Sequence, residues 1–355
     1  MTGEQPHKAV SRRSFLIALT GSALAASAGY QAVTAQTNTP HAAPPFPEAV
    51  PDKQWGILKY DQPVLTPTDR LFTARYAPDR TPQIDVNLWR LTIDGLVESP
   101  CALSLADIHA LPTLEDTRAM ECISNPAGGA FIGNIRVQGA DFAAISARIG
   151  IKPEAAHVRF EAADGYTTAV TLEQMRRRGV MLAYAMNGEP LTIERGFPLR
   201  LMIPGVYGQK MPRWITRMSF IDHEYLGYWE QRGLSNSAEV RTKAIIHAPT
   251  TGSEIVTGES IVIQGIAVAG TRTITSIEVQ IDDGEWFPAE IAASESPFAW
   301  RQWYVRWNAP APGVYQIGVR ATDETGFVQH QEADRRLSAT PNGTSAIHRI
   351  SVYIT

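Results

Sequence analysis

The sequence predicts a mixed α+β domain followed by an all-β sandwich of immunoglobulin-like type. Two observations carry this expectation. Up to about residue 243, alternations of apolar and polar residues are interleaved with short helices announced by capping residues. From Ile245 onward strand-like stretches follow at short intervals, separated by turn signals and with no helical pattern between them. A chain of 355 residues is long enough for two such cores. The predicted boundary falls near Lys243–Gly252, where Pro249 and small polar residues read as a linker.

The first 35 residues read as an address. Lys8, Arg12 and Arg13 precede the apolar run Phe15–Ala28, and Ser11-Arg12-Arg13-Ser14-Phe15-Leu16 resembles a twin-arginine signal, which is read by a translocase that exports folded proteins. Ala26-Ser27-Ala28 and Val33-Thr34-Ala35 are candidate cleavage steps, so the expected location is periplasmic or otherwise exported. Residues 36–60 form a proline-rich tether with Pro40, Pro44, Pro45, Pro47 and Pro51. Residues 61–243 are then the first domain and 244–355 the second. No later apolar run approaches the ~18 residues of a membrane span, so stable membrane insertion is not expected. A net charge of −4 leaves no basic footprint for nucleic acid.

In the first domain, Trp89, Leu91 and Ile93 alternate with polar residues and predict a strand ended by Asp94-Gly95. Ser104-x-x-Asp107 opens a short helix stopped by Pro112. Asp141 caps a helix over Phe142–Arg148, with Gly150 just beyond it. Val158 and Phe160 predict a strand, and Thr171-x-x-Gln174 caps a helix running to Gly179. Met181–Met186 reads as a strand entering the tight turn Asn187-Gly188. Leu199, Leu201 and Ile203 alternate, as do Trp214, Thr216, Met218 and Phe220. In the second domain the expected strands are Ile261–Ile263, Ile277–Ile281, Trp303–Trp307, Tyr315–Val319 and Ile350–Ile354, with Asp283-Gly284 the clearest hairpin turn.

The chemistry centres on Met120–Gly139. It contains Cys122, one of two cysteines, followed by the Asn125-Pro126 turn and by Gly128, Gly129 and Gly133, which allow the backbone to lie close against something bulky. A thiolate there suits a soft or redox-active metal, although a small buried thiol would also fit the composition. A Cys101–Cys122 bond is possible, but nothing in the spacing favours it. The eight histidines are scattered without H-x-H or H-E-x-x-H, and no C-x-x-C-H is present, so neither zinc nor covalent haem is expected. Nor is there a G-x-G-x-x-G, a P-loop or a G-x-S-x-G. Any electrons must therefore pass to or from a partner.

Several stretches taken together resemble the sulfite-oxidase family of molybdenum enzymes. They are Leu88–Pro100 leading to Cys122, Leu182-Ala-Tyr-Ala-Met-Asn-Gly-Glu-Pro-Leu191, Gly196-Phe-Pro-Leu-Arg200 and Tyr207-Gly-Gln-Lys-Met-Pro-Arg-Trp214. Ala299-Trp300-Arg301-Gln302-Trp303 and His348–Tyr353 are similar to that family's dimerisation domain. The resemblance implies one molybdenum per chain on a pterin dithiolene. It makes Cys122 the metal-ligating thiolate. Arg75 would face both cofactor and anionic substrate, with Tyr76 beside it. Asp164, Arg195, Arg200, Met211 and Arg213 would seat the pterin and its phosphate, a group that requires charge-assisted donors.

The pattern departs from the family at defined positions. Pro126 and Ala127 stand where the family's C-A-G-N-R-R has two arginines, Tyr76-Ala77 completes its R-N-H, Arg195 replaces a histidine, and Leu234 takes the place of the active-site tyrosine. No arginine matches the one the family adds near Pro341-Asn342. Sulfite, a dianion, needs such cations. The resemblance thus implies an exported molybdopterin oxidoreductase performing two-electron oxygen-atom transfer with an external haem or flavin protein, without implying sulfite as substrate. A reductase of S- or N-oxides such as methionine sulfoxide, or a periplasmic binding module that kept the scaffold, are the alternatives. A homodimer through the last domain is a further implication.

Overall fold

Strand dominates the structure, 42% against 8% helix, so the first half is less helical than an α+β reading implies. The computed structural model describes residues 65–77, 79–294, 296–308, 311–330 and 341–355, with the backbone of 50–51 and 58–59. The signal segment and nearly all of the tether lie outside the described residues. Among those residues the first half carries strands β1 (Leu91–Gly95), β2 (Cys101–Leu103), β3 (Thr113–Glu121), β4 (Ile132–Asp141), β5 (His157–Ala162), β6 (Thr167–Thr171), β7 (Met181–Met186), β8 (Glu189–Pro190), β9 (Arg200–Met202) and β10 (Ile215–Ile221). The second carries β11 (Lys243–Ala248), β12 (Glu254–Ile255), β13 (Ser260–Val268), β14 (Ile274–Ile281), β15 (Phe287–Pro288), β16 (Glu290–Ile291), β17 (Arg301–Asn308), β18 (Gly313–Asp323) and β19 (His348–Ile354).

Among the described residues the α-helices are α1 (Leu105–His109), α2 (Phe142–Ile149) and α3 (Leu172–Met175). Capping explains where each begins. Ser104 and Asp107 form a reciprocal capping box, as do Thr171 and Gln174, and the Asp141 carboxylate accepts from the Ala143 N–H. α2 closes on left-handed Gly150 (φ 62°). α3 is a single turn and does not reach Gly179, because nothing apolar beyond Met175 gives it a face to bury.

In the first half one sheet runs β8-β7-β4-β3, with β9 also on β7, and the other runs β2-β1-β10-β5-β6. The two share a core that includes Ile135, Val137 and Leu182 from the first and Leu91, Phe160 and Phe220 from the second. β3 and β4 are the longest pairing here, in register from Thr113↔Ala140 to Glu121↔Ile132. Their connecting loop, residues 122–131, holds Cys122.

The second half has sheets β11-β13-β17-β16 and β12-β19-β18-β14-β15 around one core, with Ile263 and Trp303 facing Ile277, Val319 and Val352. The first part of the segment expected as a linker is strand, Lys243–Ala248 pairing with β13 from Lys243↔Val268 onward, while 249–252 is not. Pro45–Thr355 forms one compact unit. A third apolar cluster bridges the two halves, with Ile123, Ile132 and Tyr207 packed among Ile245, Ile266, Val268 and Trp300. The outer edge of β3 is closed by the second half: the Ala119 N–H donates to Phe298 O (2.9 Å), and Ser296 Oγ donates to Thr117 O (2.5 Å). Those edge groups would otherwise need another partner.

Candidate active site

Cys122 emerges directly from β3, and its loop is tied down from several sides. The Cys122 N–H donates to Phe131 O (2.9 Å), and Cys122 O accepts from the Asn125 N–H (3.0 Å). Asn125 is wholly buried; its Nδ2 donates to Glu121 Oε1 (2.8 Å) and its Oδ1 accepts from the Phe131 N–H (2.9 Å). Glu121 is in turn held by Lys243 Nζ at 2.7 Å, an ion pair whose side chains are each 2% exposed. One fully desolvated chain of contacts therefore runs from the second half, through Lys243, Glu121 and Asn125, into the cysteine loop.

The glycines of this loop lie against protein. Gly128 has φ 74°, and a Cβ built on it would stand 2.1 Å from His348 Nε2. One on Gly129 would meet Asn125 and Pro126, and one on Gly133 would meet Leu71. Sequence alone shows that something bulky is approached but not what it is.

Both cysteines are free and half-buried. Cys122 Sγ lies 3.1 Å from Ser124 Oγ. Burial pushes the Cys122 thiol up, with the Ser124 hydrogen bond opposing, and a coordinated cation would reverse the balance in favour of thiolate. Among the described residues no group of three or more His, Cys, Asp or Glu side chains is placed to hold a metal ion.

Four of the expected arginines come together around residues 68–75. Arg200 is 4% exposed; its Nη1 donates to Arg195 O (3.1 Å), its Nη2 approaches Met120 Sδ (3.4 Å), and its buried Nε has no hydrogen-bond partner in the protein. Burial, then Arg213 and Arg195, lower its pKa to about 9. Arg213 donates to Glu194 O (3.0 Å) and Ala74 O (2.9 Å) and lies over the Trp214 ring; burial and then Arg75 bring its pKa to about 10. Arg75 reaches the same ring and donates to Thr81 Oγ1 (2.6 Å). Arg195 behaves differently. Its guanidinium grips the backbone, donating to Thr68 O and Leu71 O (both 2.7 Å) and Phe72 O (3.0 Å). It thereby positions the segment that carries Arg75.

The other expected residues are less directly disposed. Asp164 is the acid set against Arg213 and Arg75, yet burial still raises its pKa. It meets Tyr76 through its backbone, Tyr76 Oη donating to Asp164 O (2.5 Å). Tyr76 also packs on Tyr228 (4.6 Å between centroids) and Tyr166 (5.4 Å). Met211, 3% exposed, packs into the first core. Leu234 lies in the bridging apolar cluster with Ile123 and Tyr207.

Sequence reasoning missed several participants. Tyr207 is fully buried beside the cysteine loop, its Oη accepting the Arg241 N–H (3.2 Å); burial, then Glu121, push its phenol up. Arg241 Nη1 donates to Gly343 O (3.1 Å), so a cation does reach the 341–343 loop, from a different place in the chain. Lys210 and Glu230 form a wholly buried pair at 2.9 Å, with Lys210 also bonded to Ala169 O and Asn236 Oδ1. Tyr207 and Lys210 lie in the 207–214 motif, but their roles depend on partners far along the chain.

Arg200 and Arg213 are buried near one another, and Asp164 offsets only Arg213, an arrangement that costs several kcal/mol unless an anion joins them. The donor set and the orphaned Arg200 Nε fit a buried phosphate such as a pterin cofactor carries. Residues 79–229 match the family model described as the oxidoreductase molybdopterin binding domain, and 235–354 the Mo-co oxidoreductase dimerisation domain. The uncharacterized oxidoreductase YuiH of Bacillus subtilis (strain 168) is 36% identical over 149 residues, 42% of this chain and 73% of that protein. The chain belongs to the sulfite-oxidase family of molybdopterin oxidoreductases. Rat mitochondrial sulfite oxidase is 28% identical over 340 residues, covering 82% of this chain and 62% of its own length, so the chain spans less than two thirds of that relative. The crystal structure of the sulfane dehydrogenase SoxCD from Paracoccus pantotrophus has the same fold, with TM-score 0.62, 24% identity, and 75% and 76% of the two chains covered. The first of the two domain matches implies a molybdopterin cofactor in the first half of the chain.

Proposed function

We propose that this protein is an exported molybdopterin-dependent oxidoreductase that moves an oxygen atom to or from a small substrate and exchanges single electrons with an external haem or flavin protein. The observation that carries the proposal is Arg200, buried with an unpartnered Nε among other cations and reaching Met120, two residues before Cys122. When bound, molybdenum on its pterin dithiolene supplies the two-electron chemistry. Cys122 would hold the metal as thiolate, and its pinned loop sets where the sulfur points. Arg200 and Arg213 would take the phosphate, while Arg195 keeps the 68–72 backbone in place. Arg75, half-buried, would steer a polar or anionic substrate. The dimerisation-domain match supports a homodimer through residues 235–354.

A second reading, reduction of S- or N-oxides, is favoured by one feature. Leu234 packs with Ile123 and Tyr207 where the family's reacting hydroxyl would stand, which suits a neutral substrate better than a dianion.

The test is molybdenum content per chain by mass spectrometry on protein exported by its native pathway. Wild type should carry near one molybdenum, lost or electronically altered in Cys122→Ser and unchanged in Cys101→Ser. Well-folded protein without molybdenum, made in a cofactor-competent host, would overturn the proposal. Assays in both directions with artificial electron carriers decide between the two readings.

A further inference from the structure

The arm that carries Arg75 has no regular backbone structure. Residues 72–75 lie in neither helix nor strand, so contacts from elsewhere in the fold must fix them. Arg195 Nη1 donates to Phe72 O (3.0 Å) and Arg213 Nη2 to Ala74 O (2.9 Å), which pins the arm on one side of Arg75. On the other side the anchor is aromatic. The Tyr76 ring meets Tyr228 at 4.6 Å and Tyr166 at 5.4 Å between centroids, and its Oη donates to Asp164 O (2.5 Å). Tyr76 stands where the family's R-N-H has an amide side chain, so the resemblance does not supply this ring.

Both partner rings are fixed. Tyr166, 8% exposed, donates from Oη to Gln209 O (2.8 Å). The Tyr228 N–H donates to Thr167 O of β6 (3.1 Å), and the Arg232 guanidinium lies over the Tyr228 ring, 3.6 Å from its centroid. Arg75 itself donates to Thr81 Oγ1 (2.6 Å) and lies 6.0 Å from the Trp214 ring, contacts that a swing of the arm would break. A guanidinium on an arm held at both sides loses less freedom when it binds. We propose that Tyr228 is a positioning residue: it clamps Tyr76, which fixes the direction of Arg75 and so how firmly that guanidinium holds a polar or anionic substrate. The consequence for substrate rests on Arg75 being the steering group, whereas the clamp stands on the contacts alone.

Phenylglyoxal labelling of the arginines in the molybdenum-loaded full chain, read by peptide mass spectrometry, tests the clamp. Arg136, exposed on β4, serves as internal reference. Tyr228→Leu should label at Arg75 at least about threefold faster relative to Arg136, and Tyr228→Phe, which keeps the ring, should match wild type. Tyr225→Leu, in the same stretch but packed against Arg159, should also match it. Arg232→Ala, an exposed change that removes one support of the Tyr228 ring, should accelerate labelling by a smaller factor. Unchanged Arg75 labelling in folded Tyr228→Leu would overturn the proposal, as would unchanged labelling in Arg232→Ala if the leucine variant does not fold. Equal acceleration in Tyr225→Leu would show a general loosening and overturn it too. With methionine sulfoxide and sulfite as probes and artificial electron carriers, Tyr228→Leu should raise KM about threefold to tenfold for the probe that wild type turns over, with kcat within about twofold. Faster labelling with unchanged KM would refute the part assigned to Arg75. Turnover of neither probe by wild type would count against oxygen-atom transfer, and the labelling rates would still decide the clamp.

Discussion

Arg200 is a side chain whose environment disfavours its charge: buried, flanked by Arg195 and Arg213, with one donor unmatched. In the cofactor-free protein, Arg200→Met should leave stability unchanged or raise it by up to about 2 kcal/mol in urea denaturation, because an uncompensated cation is removed. The same variant should lose most of its molybdenum. A large destabilisation of the cofactor-free protein would assign Arg200 a purely structural role. Lys210 and Glu230 give the opposite expectation, since each satisfies the other in a wholly buried pair. Lys210→Met or Glu230→Leu alone should cost about 3–5 kcal/mol, while the double variant should cost clearly less than the sum. A double-mutant cycle measures the difference. Near-additive losses would mean that each group depends on its other contacts, such as Ala169 O for Lys210 and Gln209 for Glu230.

At the scale of elements, the β3–β4 hairpin does most to place the site, because it sets both ends of the cysteine loop. The loop then rests on His348 of β19, with Gly128 in left-handed backbone against the ring. Gly128→Ala should therefore combine backbone strain with a steric clash and cost more than about 1 kcal/mol. The first consequence should be local, with lower molybdenum occupancy and faster hydrogen exchange at residues 122–131 than at β14–β18. Uniform acceleration across both halves would show that the loop has no stability of its own. α3 shows the limit of local signals. Its capping box is present, yet the helix ends after one turn because the following residues give it no second face to pack.

At the scale of the whole molecule, the two halves share a bridging cluster, a buried ion pair and a covered strand edge, and they should unfold together. The seam also contains His348, whose Nδ1 accepts from the Ile246 N–H (3.0 Å), and nearby His247. Burial lowers the pKa of both to about 4, His348 adding to the effect on His247. Their folded values lie below the ordinary 6.5, so the unfolded chain binds more protons between pH 6.5 and 4. Stability should accordingly be full above pH 6.5 and fall as pH drops from 6.5 to 4, by up to about 3 kcal/mol per ring. Urea midpoints across that range check the slope, and His348→Gln should flatten it. A slope unchanged by that substitution would assign the acid loss to carboxylates instead.

Period-two alternation identified β1, β5, β14 and β19, because each presents one face to a core and the pleat carries that in the local pattern. Cap chemistry likewise located the starts of α1, α2 and α3, since a cap satisfies its own first turn within three residues. Cys122 and the arginines were singled out by the family resemblance, which rests on residue type and order. β3 was not, because Glu115, Asp116 and Arg118 break its alternation and its partners are β4 and the distant 296–298 segment. β10 kept its existence but not its simple parity, as a register shift between Ile215 and Arg217 puts Ile215, Met218 and Phe220 inside. The sequence by itself determined the alternating strands, the helix caps and the position of the thiol, all read from neighbouring residues. Only the tertiary structure decided that Lys243 is buried against Glu121, that Arg195 grips backbone while Arg200 is left with an unmatched donor, and that His348 supports the cysteine loop. Those outcomes depend on desolvation and on contacts between residues more than a hundred positions apart, which no local pattern encodes.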